Sequence, residues 1–191
     1  FGRALSVAAE NSPRSSVVAG DRSALDSLVA ELTARGVFAK LVRVDMASHS
    51  HHVDPLLPAL AEALAATAPV DTGVPMYSTV HGAVVHGSAL DAAYWCENLR
   101  RTVRLSDAVI AMADASIDLF IEVSPHPVLT SALVETLEAR DDDTVVLPSM
   151  RRDVDGRTAM LEALGAVYSA GVTPAWACLL YTSTLPTNRE V

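Results

Sequence analysis

The sequence predicts an α/β fold in which short strands alternate with amphipathic helices. Half of the 191 residues are hydrophobic and 19% are charged, proportions typical of a globular domain with a buried core. Short β-prone runs alternate with segments whose apolar residues recur at helical spacing, and glycine or proline separates them. From this alternation we expect a mainly parallel sheet that is covered by helices on both faces.

The first 45 residues predict a small α+β unit. Residues 5–9 and 16–19 are β-prone and flank a turn-forming Asn-Ser-Pro-Arg stretch, so we expect two neighbouring strands. Residues 20–36 repeat apolar side chains at helical spacing and end on a glycine, which indicates a helix. Residues 37–44 alternate in character and predict a third strand.

A second, larger unit is predicted to follow residue 45. We expect a hairpin or loop around Gly82 and Gly87. We expect helices at residues 53–66, 92–101, 105–115, 128–139 and 157–170, and strands at residues 75–80, 119–123 and 144–147. Tyr94 and Trp95 are predicted to anchor their helix in the core.

Composition argues against two classes of partner. The formal net charge is -9 and the 14 Lys and Arg residues form no cluster, so a nucleic-acid backbone would be repelled. No apolar run reaches the ~18–20 residues that a membrane span requires. Cys96 and Cys178 lie far apart and without metal-ligand spacing, which suits a reducing cytoplasm. We therefore expect a cytoplasmic protein that binds neither nucleic acid nor membrane.

The two ends of the chain are unusual. The first residues, FGRAL, include neither an initiator Met nor a signal-peptide pattern, so we expect a piece of a longer protein. Residues 178–191 have no hydrophobic period, and their first six, CLLYTS, match a translated sequencing-library transposon end. We expect this tail to be non-native.

His49 is the principal candidate for catalysis. It lies in the stretch DMASHS, residues 45–50, between a predicted strand and a predicted helix, where side chains project into a crevice. An imidazole there can take a proton from a serine hydroxyl and return it to a leaving group. Its other ring nitrogen needs a carboxylate or a backbone carbonyl to fix the tautomer. A capping or surface histidine would occupy the same position.

A metal-dependent hydrolase is an alternative interpretation of the same stretch. His49, His51 and His52 stand close to Asp54, and one of three further histidines would complete a ligand set; these are His81, His86 and His126. The spacing does not match the usual metal-ligand patterns, and His51 and His52 are predicted to point apart in a first helical turn. We therefore expect no metal, and a solvated polar turn instead.

Four ordered motifs resemble one enzyme family. They are residues 5–14 (LSVAAENSPR), 46–50 (MASHS), 93–100 (AYWCENLR) and 122–129 (EVSPHPVL). Together they resemble the C-terminal part of the acyltransferase domain of modular type I polyketide synthases, which is related to malonyl-CoA:ACP transacylases.

The resemblance implies a fold of two incomplete subdomains. Residues 1–45 would belong to a ferredoxin-like small subdomain, and residues 46–150 to an α/β-hydrolase-like large subdomain with a parallel sheet. Residues 151–177 would form a C-terminal helix and linker, and residues 178–191 the non-native tail.

The resemblance also implies a ping-pong acyl transfer. A serine in a Gly-His-Ser-x-Gly turn attacks an acyl-CoA thioester, and the acyl group passes to the phosphopantetheine thiol of an acyl carrier protein. His49 matches the general base and acid, and Asn98 matches the residue whose backbone carbonyl orients it. No cofactor is expected on this chain, and the expected partners are the carrier protein and the neighbouring ketosynthase domain.

One departure from the family limits these expectations. The sequence contains no Gly-His-Ser-x-Gly, so we expect the chain alone to be inactive and the activity to belong to a parent enzyme of polyketide antibiotic biosynthesis. The alternative is a non-catalytic remnant or docking segment of a megasynthase.

Residues beside His49 bear on the choice of substrate. In the family, Tyr-Ala-Ser-His accompanies methylmalonyl units and His-Ala-Phe-His accompanies malonyl units. Ser48 leaves space for an α-methyl group that a Phe would fill, and Met46 is a flexible thioether that adapts to several shapes. We expect a methylmalonyl or somewhat larger extender, with a preference of only ~1–3 kcal/mol.

Overall fold

A computed structural model describes residues 2–42, 44 and 46–177. The predicted α/β class is confirmed, with strands and helices in mixed order. The strands are β1 (Leu5–Ser12), β2 (Ser15–Gly20), β3 (Met76–Ser78), β4 (Ala83–Val85), β5 (Val103–Arg104), β6 (Leu119–Glu122) and β7 (Val145–Pro148). The helices are α1 (Arg22–Ala34), α2 (Leu57–Ala63), α3 (Ala92–Arg100), α4 (Leu105–Asp114), α5 (Thr130–Glu138) and α6 (Gly156–Ser169). Short 3-10 helices span Gly2–Ala4, His51–Leu56 and Gly87–Ala89.

The described strands form three small sheets. The first has the order β2-β1-β5, in which β1 pairs antiparallel with β2 and parallel with β5. β3 and β4 form an antiparallel hairpin, and its turn contains Gly82 at a φ of +67°, which glycine adopts without strain. β6 and β7 pair in parallel. Within the described residues, parallel and antiparallel pairs are therefore mixed across three small sheets.

Contacts divide the chain into two compact units. The first extends to Ile117 and includes Ser131–Asp143, and the second contains Asp118–Thr130 and the residues from Thr144 onward. The boundaries predicted after residues 45 and 150 separate subdomains of a larger domain, which is a different division from these compact units. They stay predictions. The predicted non-native tail, residues 178–191, lies outside the described residues.

In the first unit, α3 is anchored by one of its two neighbouring aromatic residues. Tyr94 is buried, and its hydroxyl shares a 2.8 Å hydrogen bond with the buried hydroxyl of Ser78 in β3. Trp95 was predicted to lie in the core, but it is 37% exposed. Its indole N–H donates to the carbonyl of Leu90 at 3.0 Å, which holds the ring at the surface beside the start of α3.

A strand was predicted at residues 37–44. The structure describes residues 37–42 and 44 of this segment, and none of them is in a strand. A strand requires a hydrogen-bonded neighbour, and none of the described strands pairs with this segment. The alternating apolar side chains therefore face solvent, with Phe38 at 90% exposure. Arg43 lies outside the described residues.

The helix predicted at residues 53–66 is a 3-10 helix followed by α2. Pro55 lies inside the 3-10 segment, where it cannot donate a backbone hydrogen bond, and Pro58 occupies the first turn of α2. Across the described residues, none of the helices combines the length and the apolar character needed to cross a membrane.

Candidate active site

His49 lies in a tight turn before the 3-10 helix His51–Leu56, and the end of α3 holds it in place. Its φ of 60° is in the left-handed region, which non-glycine residues adopt only where their surroundings support it. Its backbone N–H donates to the carbonyl of Leu99 at 3.0 Å. Its ring atom Nδ1 lies 2.7 Å from the carbonyl oxygen of Arg101. Both main chain and side chain of His49 are therefore fixed by the same helix end.

This contact determines the tautomer of the neutral His49 ring. A carbonyl oxygen can only accept a hydrogen bond, so Nδ1 must carry the proton and donate it to Arg101. Nε2 is then left with a lone pair that can accept a proton from another group. The geometry thus gives the ring the orientation and the tautomer that a general base requires.

The orienting carbonyl was assigned from the sequence to Asn98, and the structure places that of Arg101 there instead. Asn98 lies within α3, whereas Arg101 is its C-cap residue, with extended dihedrals of φ -82° and ψ 161°. These dihedrals take the Arg101 carbonyl out of the helical hydrogen-bond ladder and leave it free for an outside donor. The catalytic role of His49 itself stays a prediction.

Ser50 supports the turn that carries His49, and sequence analysis did not identify it. The side chain is fully buried. Its hydroxyl donates to the carbonyl of Ala47 at 2.7 Å and accepts from the backbone N–H of His52 at 3.3 Å. Ser50 is thereby the N-cap of the 3-10 helix. The serine-before-helix pattern in the sequence was the available signal for this role.

A pocket of about 440 Å³ adjoins His49 in the first unit. One wall includes Ser6, Val7 and Glu10 of β1, and another includes Arg101 and Thr102 in the segment that joins α3 to β5. The hydroxyl of Thr102 on that segment donates to the carbonyl of Val7 at 2.7 Å, which ties the two walls together. His49 therefore borders a cleft with room for a substrate group.

Three arginines line this pocket, and each is paired with a carboxylate. Arg100 contacts Asp54 at 2.5 Å, Arg101 contacts Glu97 at 2.9 Å, and Arg104 contacts Asp107 at 2.7 Å. The charge of each arginine beside the His49 pocket is therefore balanced by a neighbouring carboxylate.

The predicted substrate residues lie beside the His49 turn but are not brought into this pocket. Met46 is 47% exposed and Ser48 is partly buried. Neither borders the cleft as the described residues form it. Their predicted roles in selecting the extender are not tested by this geometry.

The histidines are arranged differently from the predicted hydrolase cluster. His51 and His52 do not point apart, since their ring centroids lie 4.3 Å from each other. Both contact the carboxylate of Asp21, which is distant in sequence. Asp54 instead pairs with Arg100. His49 therefore belongs to a site of its own, held by backbone carbonyls.

The family model described as the acyl transferase domain matches residues 3–174 of this chain. The chain belongs to the acyl transferase domain family. The resemblance inferred from the four motifs is confirmed, and the similar proteins are modular polyketide synthases and their acyltransferase domains.

A curated relative and two solved structures illustrate the similarity. Spectinabilin polyketide synthase system protein NorA' of Streptomyces orinoci is 44% identical over 172 residues, or 90% of this chain and 5% of that protein. The acyltransferase domain from module 8 of the salinomycin polyketide synthase gives a TM-score of 0.89 at 41% identity, over 92% of this chain and 42% of that one. The acyl transferase domain of SpnD, in complex with 2-(pent-4-yn-1-yl)malonyl, gives a TM-score of 0.83 at 34% identity, over 90% of this chain and 42% of that one. The chain thus spans a small part of a synthase and less than half of a solved domain.

Proposed function

We propose that this chain supplies the histidine half of an acyl-transfer site in a polyketide synthase. The parent enzyme would move an acyl group from a malonyl-type CoA thioester to the phosphopantetheine thiol of an acyl carrier protein. The observation that carries the proposal is the Nδ1 contact of His49 with the Arg101 carbonyl, because it leaves Nε2 free to accept a proton. Membership of the family supplies the reaction class.

In the proposed first half-reaction, Nε2 of His49 removes the proton from a serine hydroxyl as the serine oxygen attacks the thioester carbonyl. The C–S bond breaks, the CoA sulfur takes the proton from His49, and an acyl-serine ester remains. In the second half-reaction, His49 takes the thiol proton of the carrier protein as the sulfur attacks the ester carbonyl. A new thioester C–S bond forms, the C–O bond to serine breaks, and His49 returns the proton to the serine oxygen. The Arg101 carbonyl stabilises the charged imidazole in both half-reactions by accepting from Nδ1.

The serine of this mechanism lies outside the sequence, which contains no Gly-His-Ser-x-Gly. The proposed activity therefore belongs to the parent domain, and we expect the 191-residue chain alone not to load an acyl group. The expected partners are the carrier protein, which presents the thiol, and the neighbouring ketosynthase domain. Acyl-CoA is a substrate and not a resident cofactor.

Acyl loading and transfer in a domain restored with its native serine segment test the role of His49. We expect His49→Ala to lose transfer to the carrier protein. Because His49 has a positive φ, His49→Asn is the better second variant, since Asn tolerates the left-handed region. His86→Ala, which changes a histidine outside the pocket, is the matched control. Normal transfer by both His49 variants would remove His49 from the mechanism.

We further propose that the extender is α-branched, methylmalonyl or somewhat larger. The small Ser48 beside His49 supports this proposal through the family pattern, and the SpnD domain was solved with a substituted malonyl group. Competition of malonyl-CoA with methylmalonyl-CoA in the restored domain would test it. We expect the methylmalonyl preference to fall in Ser48→Phe, whereas a clear malonyl preference of the unaltered domain would refute the proposal.

A non-catalytic role is the outcome to be distinguished. If another residue replaces the serine in the parent domain, the domain cannot form an acyl-serine and its role is limited to positioning carrier proteins. No variant of His49 would then change acyl loading. The sequence of the serine motif therefore decides between enzyme and scaffold before any assay is run.

A further inference from the structure

Three side chains of metal-binding type meet beside the turn that carries His49. Nε2 of His52 lies 2.9 Å and Nε2 of His51 lies 3.4 Å from Oδ1 of Asp21. The ligand-type atoms of the three residues all lie within 4.8 Å of one another. Within residues 2–42, 44 and 46–177, this is the one group of three or more such side chains with that spacing.

The orientation of Asp21 supports a role beyond helix capping. Asp21 is the N-cap residue of α1, a position where an aspartate carboxylate commonly accepts a backbone N–H of the first turn. Here the side chain makes no cap hydrogen bond and faces the two histidines instead. Its carboxylate is thereby available to an ion.

We propose that Asp21, His51 and His52 form a binding site for one divalent transition-metal ion, with Zn²⁺ as the representative. In a tetrahedral zinc site with bonds of about 2.0–2.1 Å, neighbouring ligand atoms are roughly 3.3–3.4 Å apart. The separation between His51 and Asp21 already has this value, and the separation between His52 and Asp21 would open by about half an ångström. The ligand atoms of His51 and His52 lie within 4.8 Å of each other and would also have to adopt this spacing around the ion.

The donor set selects the class of metal. Two imidazoles and one carboxylate suit zinc and other late transition metals, whereas calcium and magnesium prefer ligands that are all oxygen. The side chains are 40–44% exposed, so solvent reaches the site and can fill the remaining coordination position.

One feature limits the affinity. Nδ1 of His51 is buried, and no group in the described part of the chain forms a hydrogen bond with it. A histidine bound to metal through Nε2 carries its proton on Nδ1 and normally donates it, and loss of that partner weakens binding by about 10–100-fold. We therefore expect micromolar binding and not the tight binding of a structural zinc site.

The site would connect two segments that are distant in sequence. Asp21 lies where β2 leads into α1, and His51 and His52 begin the 3-10 helix that follows His49. A bound ion would tie this helix to the corner of the small sheet and so restrain the turn of His49. Thermal unfolding of the chain would then occur at a higher temperature in the presence of Zn²⁺.

Calorimetric titration of Zn²⁺ into the full 191-residue chain tests the proposal. We expect one ion per chain, reversal by EDTA, and binding at least tenfold weaker in His51→Ala, His52→Ala and Asp21→Asn. His86→Ala and His126→Ala are the matched controls, and their affinity should equal that of the unaltered chain. If circular dichroism shows that His52→Ala has lost its fold, His52→Gln, which keeps a polar side chain, replaces it.

Two results would overturn the proposal. One is the absence of Zn²⁺ binding by the folded chain, and the other is equal binding by the cluster variants and the control variants. The titration does not depend on acyl transfer. A negative result for Zn²⁺ would therefore leave the proposed role of His49 unaffected.

Discussion

His49 and Glu122 are both polar side chains that hydrogen-bond to backbone groups, yet the two are bonded in different ways. Glu122 is buried at the end of β6, and its carboxylate accepts from the hydroxyls of Ser124 and Thr130. It also accepts from the backbone N–H groups of Val128, Leu129 and Thr130. In His49, Nδ1 lies 2.7 Å from the Arg101 carbonyl oxygen, and the residue borders a pocket.

The two residues differ in how much of their hydrogen-bonding capacity other described residues take up. The hydrogen-bonding capacity of Glu122 is taken up by the residues that follow it in the chain, as far as Thr130. Nε2 of His49 is left for an outside partner. This nitrogen is the reason why we propose acid–base chemistry for His49 and not for Glu122.

The largest expected effect is on acyl transfer by the restored domain, where variants of His49 and Glu122 should differ. His49→Asn should lower acyl transfer by about 10²–10⁴-fold, the usual contribution of a general acid and base. Glu122→Gln should leave the transfer rate per folded molecule close to that of the unaltered domain. Single-turnover transfer to the carrier protein measures both variants. Equal loss of transfer in the two variants would abolish the distinction.

The free energy of unfolding should depend more on Glu122 than on His49. Burial would raise the pKa of Glu122, but the donated hydrogen bonds, led by that of the Thr130 hydroxyl, lower it to about 2. We expect Glu122→Gln to reduce the free energy of unfolding at neutral pH by about 3 kcal/mol. Glu62→Gln, at an exposed position of α2, is the control and should change it by less than about 0.5 kcal/mol. Urea denaturation of the chain provides the measurement.

The same pKa predicts how this contribution depends on pH. Because the folded pKa of about 2 lies below the ordinary value of 4.5, the stabilisation is complete above 4.5 and is lost as the pH falls towards 2. The difference in unfolding free energy between the unaltered chain and Glu122→Gln should therefore shrink over that range. A difference that stays constant from pH 5 to about 2 would show that Glu122 is not held ionised by its loop.

A smaller effect is expected at Ser50. Ser50→Ala removes the N-cap of the 3-10 helix and the bond to Ala47, and should cost about 1 kcal/mol of stability. Transfer in the restored domain should also fall, because the turn that carries His49 loses support. Ser27→Ala, on the exposed face of α1, is the control. If Ser50→Ala resembled that control in both measurements, the turn would be held by α3 alone.

The smallest effects are expected at Arg101 and Asn98. The contact of Arg101 with His49 is made by its backbone, so Arg101→Ala keeps the carbonyl and removes only an exposed pair with Glu97, worth less than about 1 kcal/mol. Asn98→Ala should be equally mild. Transfer rates within about threefold of the unaltered domain are expected for both variants. A large loss in Asn98→Ala alone would give that side chain a role the geometry does not assign.

Elements with a local signal were predictable from the sequence. β1, β2 and α1 follow from β-prone runs, a turn and helical spacing, and Gly36 ends the helix at a φ of +72°. Residues 37–44 have the alternation of a strand without a partner among the described strands, and pairing is a property of the whole fold. β5 has only two residues, and it is defined by its pairing with β1 and not by its own composition.

The sequence identified His49 as a candidate but not the backbone groups that hold it. His49 was identified by its place in an ordered set of motifs. The carbonyl that orients it was placed three positions too early, because sequence patterns do not show which peptide group leaves a helix at its C-cap. The contact of Asp21 with His52 spans 31 positions and was missed for the same reason, since it depends on tertiary structure.

Nitrogen NMR of the His49 ring tests the central claim most directly, because it needs only the 191-residue chain and no serine partner. The measurement compares the unaltered chain with His49→Asn to assign the ring signals, in EDTA and at a pH where the imidazole is neutral. We expect Nδ1 to carry the proton, with a directly bonded hydrogen coupled to it, and Nε2 to show the shift of an unprotonated nitrogen. A proton on Nε2 would contradict the account, because that nitrogen could then not act as the base.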